Sequence, residues 1–310
     1  TGSVATGKKI MAKASEQLIP VELELGGKDP LIVFEDANID RAVAGALWGS
    51  LTNTGQSCTS VERVYVQESV FEKFKEKLVE KAKTIKQEID KDGDSDIGSM
   101  TTESQVKIVK SHLDDALSKG AVLLTGNDWN GSDKMIPPLV FENINSQMKI
   151  CKEETFGPIL PLYSFIDEQD AINMANDSEF GLSASVWTAD KSRAIRVSRK
   201  IKTGNVSINN VMLTEGNPYL PFGGVKNSGI GRYKGVHGLR SFCNMKSILI
   251  DGNSGKIEAN WFPYTKRKYE LFSGMTEGLF GGGILNFIKF LIYGLKLESY
   301  SDKVGKKGRV

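Results

Sequence analysis

Val21-Glu22-Leu23-Glu24-Leu25-Gly26-Gly27-Lys28-Asp29-Pro30-Leu31-Ile32-Val33-Phe34 passes within a few residues from alternation, through a glycine pair, to a solid apolar run. The alternation predicts a short strand over 21–25, and the glycines end it. The run 31–34 predicts a second strand buried on both faces. Upstream, Ser3 is placed to cap a helix running to about Gln17, so a turn-helix-strand unit delivers Glu24 to a strand's C-terminal end. Downstream, 39–51 reads as a helix with Asp36 or Asn38 near its start, and Cys58 follows in a polar loop. Strand signals recur at 64–66, 121–124, 159–165, 183–188 and 206–209. Helical patterns lie between them at 68–88, 102–118, 168–176 and 192–200. Many Lys and Glu residues on the 68–88 helix mark a solvated face. This alternation predicts an α/β fold, an open and largely parallel sheet with helices on both faces.

The 310 residues are 40% hydrophobic and 25% charged, an ordinary globular composition. Lys and Arg number 40 against 38 Asp and Glu, a balance that argues against a nucleic-acid surface spread over the protein. Three widely spaced cysteines, Cys58, Cys151 and Cys243, and two histidines form neither a disulfide framework nor a metal site. A reducing, cytoplasmic setting follows. The opening Thr1-Gly2-Ser3 carries no basic-then-apolar leader, and the chain reads as a fragment whose preceding strand has been left out.

Cys58, in Asn53-Thr54-Gly55-Gln56-Ser57-Cys58, and Glu24, beside Gly26-Gly27, offer one chain a thiol nucleophile and a carboxylate base. A free cysteine is most often a small buried apolar residue, and Glu22 and Glu24 share a strand face, so spacing alone does not choose between them.

Six segments in order then carry a resemblance. Thr1-Gly2-Ser3 with Gly7, Glu24-Leu25-Gly26-Gly27-Lys28, Gly55-Gln56-Ser57-Cys58, Glu153-Glu154-Thr155-Phe156-Gly157-Pro158, Asn176 through Phe180-Gly181-Leu182, and Pro221 through Gly229 resemble the aldehyde dehydrogenase superfamily over about residues 1–250. The resemblance implies that Cys58 adds to an aldehyde to give a thiohemiacetal, whose hydride passes to NAD or NADP and leaves a thioester. It selects Glu24 as the base that activates Cys58 or the hydrolytic water. It further implies that Gly2, Ser3, Leu25, Gly26, Glu154, Phe156 and Gln105 hold the cofactor. Trp48, Thr52, Ser57 and Thr59, with the loop 211–219 opposite, are then expected to line the aldehyde tunnel. Cys151 and Cys243 lack the motif and read as structural, and no metal is implied. Ser60 departs from the small Ala or Gly more usual in the family.

The same resemblance divides the chain into a dinucleotide-domain remnant (1–25, a partial Rossmann-like piece), a thiol-bearing catalytic domain (26–225), a return segment with an oligomerisation strand (226–252) and a C-terminal extension (253–310). In the family, the absent half supplies an Asn that completes the oxyanion hole, so the 310 residues alone are expected to be inactive. The strand-like 247–250 implies a homodimer or tetramer. An apolar helix over 284–297, followed by Lys303, Lys306, Lys307 and Arg309, resembles the tail of long-chain fatty aldehyde dehydrogenases. It is too short to span a bilayer, so peripheral membrane contact through 280–310 is one expectation and cover over the substrate mouth or a subunit interface is the other. An apolar aldehyde, long-chain or aromatic, is the expected substrate. The rivals are a coenzyme A-acylating enzyme, which Glu24 argues against, and a non-catalytic scaffold.

Overall fold

The glycine pair does separate two strands, β1 (Leu23–Glu24) and β2 (Asp29–Val33), in a computed structural model that describes residues 1–89, 92–252 and 255–307. Before them lies α1 (Val4–Ser15), capped by the Ser3 hydroxyl, which accepts from the Thr6 amide. After them come α2 (Ile39–Leu51), β3 (Val61–Gln67), α3 (Glu68–Ala82), α4 (Glu103–Ser118), β4 (Val122–Leu123), β5 (Leu139–Glu142), α5 (Lys149–Lys152) and β6 (Ile159–Phe165). The chain continues through α6 (Glu168–Asn176), β7 (Ser185–Trp187), α7 (Lys191–Lys200), β8 (Ser207–Ile208), α8 (Leu213–Gly216), β9 (Gly229–Ile230) and α9 (Gly235–Ser241). Chain contacts group it into two units, Thr1–Asn244 and the segment from Met245 onward.

In the first unit a seven-stranded sheet runs β4-β5-β6-β3-β2-β7-β8. Every pairing in it is parallel except β4 with β5. Because side chains alternate across a strand, Leu31 and Val33 of β2 meet Ala42, Val43 and Ala46 of α2, with Phe74 and Leu78 of α3 in the same layer. Ile32 faces the other way, into a layer with Ala171 and Ile172 of α6 and Val197 of α7. The central strands are thus buried on both sides, which is why 31–34 carries no polar alternation.

Three expected elements differ. β1 is two residues rather than five, because its ladder with β9 covers only Leu23 and Glu24. α3 stops at Ala82 rather than residue 88: the Asp96 carboxylate accepts from the Lys86 amide at 2.8 Å, and Gln87 bridges Ile97 in a loop. Residues 244–250 form no strand in the single chain, where backbone groups there have no neighbouring strand, and Ile248, Leu249 and Ile250 are exposed.

The second unit holds a helical hairpin, α10 (Lys266–Phe280) and α11 (Gly283–Lys307), joined across Gly281 and Gly282. The sequence pattern found only 284–297 of this. α10 went unread, and Lys303, Lys306 and Lys307 of the expected basic end lie on α11, which runs as far as Lys307; Arg309 lies outside the described residues. A side chain at Gly274 would meet the Tyr293 ring and one at Gly278 the Phe290 backbone, so these two glycines let the helices close on each other. Among the described residues no helix is long and apolar enough to cross a membrane.

Candidate active site

Parallel strands that start on one edge collect the segments before them. Residues 24–28 lead into β2, 56–60 into β3 and 153–158 into β6, so all three motif segments converge at the N-terminal edge of the sheet. Open α/β sheets usually place ligands beyond the carboxyl ends of their strands. Glycines make the convergence possible: a side chain on Gly26 would strike the Glu154 carboxylate, and one on Gly27 would strike the carbonyl of Cys58. The Gly27 amide donates to Glu154 Oε1 at 3.0 Å. The Gly2 amide donates to the Glu24 carbonyl at 3.1 Å, which ties the start of α1 to the same place.

β9 comes from the glycine-rich 221–229 segment and pairs antiparallel with β1, setting Gly229 opposite Glu24. Gly223 of the same segment faces the Glu24 carboxylate, with room there for no side chain. Leu25 continues the pairing through its amide to the Ser228 carbonyl, and its side chain packs on Gly7 of α1.

Cys58 is half-buried at the end of a tight turn in which Asn53, Thr54 and Gly55 all adopt positive φ, an uncommon run for non-glycine residues. Thr54 donates to the Gly98 carbonyl, and Gly55 presses on Gly157 of the 153–158 segment. Burial pushes the Cys58 thiol up to about 12, and the Glu215, Asp29, Glu24 and Glu154 carboxylates push in the same direction. Burial first, and the nearby carboxyl groups second, hold the sulfur as a thiol at neutral pH.

Glu24 is raised to about 7 by burial, offset in part by the Arg232 guanidinium and reinforced by Glu22. Its Oε2 is buried and has no hydrogen-bond partner among the described residues. Glu154 is likewise raised to about 7, by burial first and then by Glu62. Phe156, at positive φ, turns the chain sharply beside it.

Some expected positions take other parts in this structure. Gln105 on α4 donates to the Thr155 carbonyl at 2.7 Å and so braces the Glu154 turn. Thr52 donates to the Trp48 carbonyl at the end of α2, and the Trp48 side chain is about half exposed. Ser57 and Thr59 share a hydrogen bond at 3.1 Å beside Cys58. Cys151 is raised by burial and accepts from the Tyr163 hydroxyl, along a separate cleft of about 760 Å³ lined also by Tyr65 and Met174.

Two groups of residues escaped the sequence reading. The first is a buried network in which Lys28 donates to Glu62 at 2.5 Å, with the two side chains 1% and 3% exposed. Glu62 also accepts from the Thr155 and Phe156 amides, and Arg63 donates to the Lys28 carbonyl at 2.8 Å. This charge-assisted web fixes the Gly-Gly-Lys turn against the Glu-Thr-Phe turn. Adjacent Glu62 and Arg63 at the head of an otherwise apolar strand were the available signal. The second is Glu215 on α8, inside the 211–219 loop expected opposite the site but not itself singled out; it accepts from the buried Thr59 hydroxyl at 2.8 Å and is the charge that acts most on Cys58. Nothing in its polar loop marks it out.

The pattern that defines the aldehyde dehydrogenase family matches residues 1–248. The chain is 42% identical over 286 residues to a 4,4'-diapolycopene aldehyde oxidase of a Methylomonas species, covering 91% of this chain and 52% of that protein. It is similar to a betaine aldehyde dehydrogenase of Staphylococcus aureus solved with NAD+ and a BME-modified cysteine, at 37% identity and TM-score 0.77, covering 85% of this chain and 53% of that one. It is also similar to an NADP-dependent enzyme of E. coli, at 38% identity and TM-score 0.75, covering 78% and 50%. The chain spans about half the length of the curated relatives it matches. On the family match and the shared fold, this chain belongs to the aldehyde dehydrogenase family.

Proposed function

We propose that the chain carries the thiol-bearing part of an NAD- or NADP-dependent aldehyde dehydrogenase that oxidises an apolar aldehyde, long-chain or aromatic, to its carboxylic acid. The observation that carries this reading is a half-buried Cys58 on a loop packed against Gly27 and within reach of the charge of Glu24, whose carboxyl is raised to about 7 and whose Oε2 has no hydrogen-bond partner among the described residues. Above pH 7 the resting pair is thiol and carboxylate. As Cys58 Sγ bonds to the carbonyl carbon its proton leaves toward Glu24, and the carbonyl oxygen takes up the electron pair. A nicotinamide held near Gly26 and Glu154 would supply the acceptor for the hydride on that carbon, and Cys58 would then carry the acyl group as a thioester. Glu24 releases the thiol's proton to solvent, then takes a proton from water as that water attacks the thioester, and returns it to the departing sulfur, so that the acid leaves and the thiol is restored. A base poised near neutrality favours this hydrolysis over acyl transfer to coenzyme A.

Glycine packing at Gly26 and a buried carboxylate at Glu154 suit a cofactor whose ribose hydroxyls need an acceptor and whose atoms need close backbone approach. Glu154 would accept from those hydroxyls, with Gly2, Ser3, Leu25, Gly26 and Phe156 packing nearby and Gln105 at the ribose edge. Trp48, Thr52, Ser57 and Thr59 line the aldehyde path in this reading. The domain limits are 1–25, 26–225, 226–252 and 253–310. The exposed 247–250 segment adds a strand to a second copy in a homodimer or tetramer, and residues 280–310 give a cytoplasmic enzyme a peripheral membrane contact.

Reduced-cofactor absorbance tests the activity. An enzyme completed to the length of its relatives should oxidise a long-chain aldehyde, Cys58→Ala should abolish this, and the 310 residues alone should show no turnover. Undiminished oxidation by Cys58→Ala would remove the proposal.

A further inference from the structure

We propose that α11 docks its outward face on an anionic bilayer and that a cleft at the base of the hairpin receives a lipid phosphate headgroup. The inference rests on the peripheral-contact reading above and gives it residues, an orientation and a lipid class.

Ile284, Leu285, Ile288, Leu291, Ile292 and Leu295 fall on one side of α11 by helical spacing, and each is between 45% and 79% exposed. The opposite side is closed, since Phe290 and Tyr293 pack over Gly278 and Gly274 of α10. The hairpin therefore holds α11 rigid with its apolar side outward. From Leu271 to Leu297 the one acidic residue is Glu277, and Lys289 pairs with it at 2.7 Å. Glu270, Glu298 and Asp302, just outside this stretch, pair with Arg267, Lys256 and Lys306, so these described acidic residues are compensated.

Where the apolar face ends, a cleft of about 430 Å³ opens between the helices, lined by Arg267, Lys296, Lys303, Ser299 and Tyr300 over Leu271 and Leu295. Leu295 belongs to both features, so acyl-chain surface and cationic pocket adjoin. Arg267 pairs with Glu270 at 3.1 Å and the Tyr300 hydroxyl bonds Thr265, so Lys296, Lys303 and the Ser299 hydroxyl are the groups offered to a phosphate, and the neighbouring aliphatic residues suit what a lipid phosphate is attached to. A second copy packed with its α11 parallel to this one would bring like-charged Lys296 and Lys303 together, whereas the cations adjoining the apolar face complement an anionic lipid surface.

Co-sedimentation of the 310-residue chain with vesicles of phosphatidylcholine alone, or mixed with phosphatidylglycerol, tests this. Binding should favour the mixed vesicles and weaken with added salt. Lys296→Glu with Lys303→Glu should lower partitioning about tenfold or more, and Ile288→Glu with Ile292→Glu should do so on both vesicle types. Circular dichroism checks that each pair of changes leaves the helices folded, and Lys296→Gln with Lys303→Gln provides a milder version should charge reversal unfold the hairpin. Equal binding to both vesicle types, or binding unchanged by the lysine substitutions, overturns this proposal while leaving peripheral contact standing. No binding at all, or a concentration-dependent dimer that Ile288→Glu with Ile292→Glu disperses, overturns both. Aldehyde oxidation, assayed separately in the completed enzyme, is independent of every one of these outcomes.

Discussion

The carbonyl of Cys58 lies against the α-carbon of Gly27 so closely that no side chain fits between them. The turn that carries Glu24 and the loop that carries Cys58 are therefore packed together through backbone contact. Gly27→Ala should separate them. We expect a loss of about 1–3 kcal/mol in unfolding free energy from overpacking, read by denaturant titration, together with collapse of aldehyde oxidation in the completed enzyme.

The Lys28 and Glu62 pair is buried and fully hydrogen-bonded. Glu62→Ala leaves an ammonium group without its carboxylate and two amides without an acceptor, and should cost about 3–5 kcal/mol in the same titration. Lys28→Met with Glu62→Leu together should cost much less than Glu62→Ala alone, since both desolvation penalties are then removed.

Glu24 sets a pH dependence. Its carboxyl is raised to about 7, so the basic form grows as pH rises through 7, and the deacylation rate should climb over that window and level off above it. Glu24→Gln should flatten this limb and slow deacylation by about 100-fold or more, as measured by single-turnover kinetics.

The same shift has a stability consequence. A carboxyl raised in the folded state binds its proton more tightly there than in the unfolded chain, so Glu24 and Glu154 add stability that is fully present below the ordinary carboxyl range and lost as pH rises through about 7. Glu154→Gln removes one of these contributions. Its melting temperature should fall less between pH 5 and 8 than that of the unaltered chain, and an identical fall in both would count against the assignment.

Glu215 acts on the sulfur through its charge. Glu215→Gln retains an oxygen for the Thr59 hydroxyl but removes the negative charge, so the Cys58 thiol should titrate lower. Iodoacetamide alkylation of Cys58, followed by peptide mapping across pH, should shift its midpoint downward in the variant, with no shift at the exposed Cys243.

Much of this was legible in the sequence. Alternation at 21–25 and the apolar run at 31–34 marked the turn that positions the base, and α2 follows the apolar periodicity closely, with Asn38 capping it. Cys58, Glu24 and Glu154 were singled out through local motifs, and their segments lead into β3, β2 and β6 on one edge of the sheet. What was missed depends on distant chain segments meeting. Glu62 has its meaning only because Thr155 and Phe156 arrive beside it, and Glu215 only because α8 folds back onto Thr59. α10 was hidden because its apolar residues are sparse and two of its contacts are made by glycines, which carry no hydrophobic signal.

The central claim is that Cys58 bonds to the aldehyde carbon and that Glu24 helps release the product. Rapid acid quenching of the completed Glu24→Gln enzyme with a long-chain aldehyde and NAD or NADP, followed by peptide mass spectrometry, tests it directly. The account predicts an acyl group on the peptide that contains Cys58 and none on those with Cys151 or Cys243. Continued acid formation with an unmodified Cys58 peptide, or acylation of a different cysteine, would contradict it.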